Sequence, residues 1–172
     1  MNLKRTISVV AQAISLTIVM AALNGIAAAQ SGPAVKHIQP GTSAIAAAVW
    51  VGDTLYVSGQ LPSPVTPAVP DKGTAAVWGD TKTQSASVFG KIETLLKEQG
   101  LGMGDVVMMH VYMVGDPANG GKLDFAGMNA VFTQFFGTKE QPNKPARSTV
   151  QVAALAAPGP LLEVEVIAVK SK

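Results

Sequence analysis

The sequence predicts a single α+β domain in which two helices pack on one face of a sheet. Two segments repeat apolar residues at helical spacing, and the other regular segments are β-prone runs bounded by Gly and Pro. Their order is hairpin, helix, strand, helix and two further strands. Strands interleaved with two helices in this way indicate one sheet with both helices on a single face.

The first 29 residues have the pattern of a cleavable secretory signal peptide. Lys4 and Arg5 precede an apolar stretch over residues 7–23, and an A-x-A site ends at Ala29. An uncleaved membrane anchor would need about 20 strongly apolar residues, whereas this stretch is shorter and contains polar side chains. We therefore predict a periplasmic or secreted domain, residues 30–172, without stable membrane association after cleavage.

The composition argues against several classes of partner. The chain has 13 basic and 11 acidic residues, and the two charges of the leader are both basic. The mature domain is therefore neutral and lacks the basic surface of a nucleic-acid-binding protein. Cysteine is absent, which rules out disulfide bonds and a lipoprotein anchored through cysteine. The two histidines, His37 and His110, do not have metal-ligand spacing, so no metal site is expected.

A hairpin and a proline-rich loop come first in the predicted domain. Two β-prone runs over residues 49–58 flank Gly52-Asp53, and Gly at the first loop position favours a type II′ turn. Residues 61–70 contain four prolines, which cannot donate regular ladder hydrogen bonds. We expect an extended loop there.

Two helices and three strands complete the domain. Asp80 is the expected N-cap of a helix that runs to about Glu98 and is ended by Gly100. A second helix is predicted over residues 123–136. Strands are predicted over residues 106–114, 147–152 and 161–169, and the first helix buries one apolar face made of Val88, Phe89, Ile92, Leu95 and Leu96.

The last two strands carry the candidate chemistry. Side chains alternate along a strand, so Arg147 and Thr149 share a face, as do Glu163 and Glu165. If the two strands pair, one face of this hairpin offers a guanidinium, a hydroxyl and two carboxylates. An arginine fork binds a carboxylate through two hydrogen bonds, and a glutamate can activate water. The structural alternative, a cross-strand ion pair, is the commoner one.

Three other polar residues are candidates with equally good structural explanations. Asn129 lies four residues after Phe125, on the buried side of the second helix, where its amide needs a hydrogen-bond partner. Ser58 and Gly59 end a strand where the backbone turns.

Several motifs in this order resemble the Rid, or YjgF-like, family of imine and enamine deaminases. The most specific is P-A-R-S at residues 145–148, followed by L-E-V-E-V at residues 162–166. Y-V-S-G-Q at residues 56–60 and M-N-A-V-F at residues 128–132 also match, and the likeness spans about residues 45–170.

The resemblance implies a chorismate-mutase-like protomer with one mixed sheet, assembled into a homotrimer with three sites between subunits. It implies hydrolysis of small 2-imino or enamino acids without a cofactor or metal. Arg147 would bind the substrate carboxylate and Glu163 would handle the water. The remaining pocket residues would be Ser58, Gly59, Asn129 and Thr149.

Two features depart from the family pattern, and two other functions stay open. Ile45 stands where deaminating relatives commonly have a tyrosine, and the loops at residues 61–76 and 115–122 are longer than usual. A non-catalytic binding protein for small carboxylates would need Arg147 but no base. A requirement for Glu163 would therefore distinguish the enzyme from the binding protein. The third reading is a hydrolase of a related C–N bond. The sequence does not name the physiological substrate or the reason for export.

The leader gives the first testable prediction. When the full chain is expressed in a bacterial host with a secretion system, the exported protein should begin at Gln30, because signal peptidase cleaves after an A-x-A site. N-terminal sequencing of the periplasmic fraction measures this. Retention of Met1 together with membrane association would instead indicate an anchor.

Overall fold

The computed structural model describes residues 32–171, so the predicted leader lies outside the described residues. The strands and helices follow the order β1 (Val35–Ile38), β2 (Ala48–Val51), β3 (Thr54–Gln60), α1 (Thr81–Glu98), β4 (Val106–Met113), α2 (Phe125–Phe135), β5 (Ala146–Gln151) and β6 (Leu162–Val169). Every predicted element is present to within about two residues at each end, as is usual for helix and strand boundaries. The short strand β1 was not predicted.

The strands form one six-stranded sheet in the order β1-β2-β3-β6-β4-β5. Strands β4 and β5 are parallel, while the other neighbours are antiparallel. The sheet is therefore mixed and carries two helices, as the α+β prediction requires.

The last two strands do not pair with each other, so the condition under which Arg147 and Glu163 would share a face is not met. Strand β6 lies between β3 and β4, and β5 pairs with β4 at the edge of the sheet. In the central position β6 forms hydrogen bonds along both of its edges. Its alternate residues Leu162, Val164, Val166 and Ala168 are buried on the helix-facing side.

The helices are set by their caps and packed through aromatic side chains. The Asp80 carboxylate accepts a hydrogen bond from the Thr83 amide at 2.8 Å, which fixes the start of α1. Asp124 does the same for α2 by accepting from the Gly127 amide at 2.9 Å. Phe89 of α1 meets Phe132 of α2 edge-on, with 6.3 Å between ring centroids.

The hairpin between β2 and β3 has the predicted two-residue turn. Gly52 has a φ of +59°, and no residue other than glycine has a positive φ in the described range. Further along β3 the register with β6 shifts between Val57 and Gln60. Ser58 and Gly59 therefore form a β-bulge, which redirects side chains next to it.

The proline-rich loop is more ordered than the extended segment that the sequence predicts. Bridges between Thr66 and Val77 and between Val69 and Thr74 close it into a small hairpin. The start of this loop is held by the Lys91 ammonium, which donates a hydrogen bond to the Leu61 carbonyl at 2.7 Å. Within residues 32–171, no helix is both long enough and apolar enough to cross a membrane.

Candidate functional site

Arg147 lies on the helix-facing side of the edge strand β5. Its register partner on β4 is Met109, which is fully buried under the helices. The guanidinium Nη2 donates to the Asn129 Oδ1 of α2 at 3.0 Å, and the guanidinium carbon lies 4.1 Å from the centroid of the Phe132 ring. Burial lowers the pKa of Arg147, but a guanidinium remains charged in proteins. Asn129 uses one of five N–H donors, which leaves others for a carboxylate.

Thr149 follows on the same face of β5, opposite Val111. Its hydroxyl oxygen is buried and has no hydrogen-bond partner among residues 32–171. Nearly all buried hydroxyls in native proteins are hydrogen-bonded, so a bound polar ligand would satisfy this one. We call Arg147, Asn129 and Thr149 the arginine group.

Glu163 lies on the other, open face of the sheet, against the β-bulge of β3. A Cβ atom at Gly59 would overlap the Glu163 carboxylate, so only glycine leaves room for it there. Ser58 fastens the preceding segment, because its hydroxyl donates to the Ala46 carbonyl at 2.7 Å and its amide donates to the Ala47 carbonyl at 3.0 Å. We call Ser58, Gly59 and Glu163 the glutamate group.

The two groups do not meet within one protomer, because Arg147 and Glu163 would share a face only if their strands paired. Arg147 pairs with Met109 of β4, and Glu163 pairs with Tyr112 of the same strand. Met109 and Tyr112 are three residues apart and therefore point to opposite faces. The parity along each strand was right, but β5 and β6 are not neighbours.

The open face also holds a network that the sequence did not predict. The Glu165 Oε1 accepts a hydrogen bond from the Tyr112 hydroxyl at 3.1 Å and lies 2.9 Å from the His110 Nδ1. A cavity of about 250 Å³ opens beside it, with Tyr56 and Ile167 in its wall. Alternation along β4 already placed His110 and Tyr112 on one face, but their partner depended on the unpredicted position of β6.

Two further expectations bear on this site. Ile45 is 65% exposed in the segment that Ser58 fastens through the Ala46 carbonyl, and its side chain has no hydroxyl. No cluster of three potential metal ligands occurs within residues 32–171.

Comparison with known proteins shows which family this chain resembles. The sequence model of the Endoribonuclease L-PSP family matches residues 38–170. A RutC family protein of Pyrococcus abyssi is 37% identical over 123 residues, which cover 72% of this chain and 84% of that protein. A protein of Dermatophagoides farinae named 2-iminobutanoate/2-iminopropanoate deaminase is 32% identical over 108 residues, covering 63% of this chain and 72% of its own.

Solved structures show the same fold. RidA from an Antarctic Psychrobacter superposes with a TM-score of 0.56 at 33% identity, covering 81% of this chain and 94% of that one. A YjgF family protein of Neisseria meningitidis gives a TM-score of 0.61 at 24% identity, covering 83% of this chain and 99% of that one.

The contact between Gly59 and Glu163 gives a prediction about stability. Gly59→Ala should destabilise the fold, because the new methyl group must displace the Glu163 carboxylate. Glu163→Ala should relieve this, so urea unfolding of both single variants and the double variant should show a coupling of about 0.5–3 kcal/mol. Gly90→Ala is the control, since open space surrounds that position in α1. Additive effects of the two substitutions would show that Glu163 does not depend on the glycine.

Proposed function

The chain belongs to the Rid, or YjgF-like, family, and from this premise we propose that it hydrolyses small 2-imino and 2-enamino acids to 2-oxo acids and ammonia. The observation that carries the proposal is the arginine group. It combines a guanidinium with free donors and a buried hydroxyl without a partner, which together suit a small carboxylate ligand.

We further propose that the site is completed between subunits of a homotrimer. The arginine group and the glutamate group lie on opposite faces of one sheet, so a second protomer must supply the missing half. The open face supports such a contact, because Tyr56 and Val150 on it are 48% and 46% exposed. Covering these two side chains with a second protomer would remove apolar surface from water, which favours association.

The proposed reaction needs no cofactor, because an imine carbon is already electrophilic. An enamine first takes a proton at carbon and becomes the imine. Arg147 holds the substrate carboxylate, and Asn129 orients the guanidinium. Glu163 of the neighbouring subunit removes a proton from water as the water oxygen bonds to the imine carbon. As this bond forms, the C=N π electrons move to nitrogen, which takes the proton from Glu163 and gives a carbinolamine. Glu163 next transfers the proton of the new hydroxyl to the amine, and the C–N bond breaks as the C=O bond forms, which releases ammonia and the 2-oxo acid.

A second function is favoured by the completeness of the arginine group within one protomer. Arg147, Asn129 and Thr149 can bind a carboxylate without any contribution from Glu163. A binding protein for small carboxylates is therefore the alternative. It differs from the enzyme in requiring no base.

Two features of the sequence bear on the class of substrate and on the location of the proposed reaction. Residues 30–172 carry as many basic as acidic side chains, which gives no electrostatic attraction for RNA, so we favour an imino acid over the RNA that the family description suggests. We also propose that residues 1–29 act as a cleaved leader, so that the reaction takes place outside the cytosol.

Substitution of the base should separate the enzyme from the binding protein. Glu163→Gln keeps the size of the side chain but removes proton acceptance, so ammonia release from an imino acid generated in situ should fall by about 10²–10⁴-fold. Calorimetry should show that binding of a small 2-oxo acid persists. Glu93→Gln is the matched control, because Glu93 pairs with Lys97 on the surface of α1.

Two results would contradict the enzyme. If the unmodified protein binds 2-oxo acids but releases no ammonia above the uncatalysed rate, it is a binding protein. If Glu163→Gln and Glu93→Gln turn over equally, Glu163 is not the base.

Mixing of inactive subunits tests the site between protomers. Arg147→Lys should lose activity because lysine cannot reproduce a bidentate fork. When Arg147→Lys and Glu163→Gln subunits are dissociated and reassembled together in equal amounts, about a quarter of the sites should regain both intact residues from different subunits. Light scattering should give about three protomer masses for the unmodified and mixed proteins. Mixed trimers without ammonia release would contradict a shared site.

A further inference from the structure

The two glutamates of β6 share the open face but have different surroundings. Glu165 is held by two donors of β4, with its Oε1 3.1 Å from the Tyr112 hydroxyl and 2.9 Å from the His110 Nδ1. Glu163 has no side-chain hydrogen bond within residues 32–171 and lies against Gly59. One carboxylate is therefore engaged with β4, while the other leans toward β3.

The hydrogen bond of Tyr112 does not follow the register between β4 and β6. Tyr112 is the direct register partner of Glu163, yet its hydroxyl reaches past it to Glu165. His110 is the direct partner of Glu165. Two residues of β4 thus converge on one carboxylate, and the two negative charges of β6 are drawn to opposite sides of the strand.

The side chains that surround Glu165 on the open face include few that can interact with its charge. In the described part of the chain, the His110 ring is the one basic group within 4.0 Å of the Glu165 carboxylate. Strand β3 contributes Tyr56 and Ser58 to this face, and β5 contributes Ser148 and Val150, none of which carries a formal charge at neutral pH. Burial raises the pKa of Tyr112, and its hydrogen bond to Glu165 and the nearby carboxylate charges raise it further. The phenol therefore stays a donor.

We propose that His110 and Tyr112 are positioning residues that hold Glu165 away from Glu163, so that Glu163 alone accepts the proton of the attacking water. The inference rests on the proposed function and assigns a role to the second glutamate of the E-x-E pair.

The physical reason is the behaviour of neighbouring carboxylates. Two of them that approach each other share a proton, and one of the pair then becomes protonated at a pH where a lone carboxylate is ionised. Without its donors, Glu165 is free to turn toward Glu163 and form such a pair. Glu163 would then be protonated, and unable to act as the base, up to a higher pH.

The experiment compares two variants of the full exported protein. His110→Val with Tyr112→Phe removes both donors and keeps strand-compatible side chains. The acidic limb of the kcat profile should move to higher pH by about one unit, while KM for the imino acid stays the same because Arg147 is unaffected. Adding Glu165→Gln removes the competing carboxylate and should return the limb to its original position.

Rescue by Glu165→Gln is the decisive readout, because a merely structural role of His110 and Tyr112 would not be repaired by a third substitution. An unmoved acidic limb in the double variant overturns the positioning role, and so does a shift that the triple variant retains. Carbon-13 NMR titration of the glutamate carboxyl groups gives the same test without turnover. A protein that releases no ammonia, yet shows the shared proton by NMR only in the double variant, overturns the proposed function and leaves the positioning role standing.

Discussion

The insertion of β6 between β3 and β4 is the constraint on which the rest of the site depends. Because side chains alternate along a strand, this position sends Val164 and Val166 toward the helices and both glutamates to the open face. It also moves β5 to the edge, where Arg147 turns under α2. A single topological choice therefore separates the guanidinium from the carboxylate, and in the proposed trimer each protomer would supply one half of a site.

The β-bulge in β3 adapts this sheet to Glu163. An extra residue at Ser58-Gly59 shifts the register against β6, and the missing side chain at Gly59 leaves space for the carboxylate. Ser58 does not point at a ligand in this structure, because its hydroxyl and amide both hold the segment before β2. Its contribution is to fix the loop that carries Ile45.

Local signals predicted the elements, whereas the pairing of distant strands could not be read from the sequence. Asp80 and Gly52 act on their own neighbours, so the start of α1 and the hairpin turn followed from residue type alone. Which strand lies beside β6 depends on contacts across the whole chain. For that reason the parity around Arg147 and around Glu163 was right, but the condition for their meeting in one protomer was not met. The intersubunit arrangement was inferred from the family motifs alone, and it stays a prediction.

The absence of a tyrosine at position 45 makes the isolation of Glu163 more important in this chain. Ile45 has no hydroxyl to orient a water or donate a proton, and the Ser58 hydroxyl is already engaged. Among the residues of the glutamate group, the Glu163 carboxylate is then the one left to exchange protons with the substrate. A second free carboxylate two residues away would compromise that role directly. In the proposed reaction, the contacts of His110 and Tyr112 with Glu165 would therefore matter more in a chain that has isoleucine at position 45.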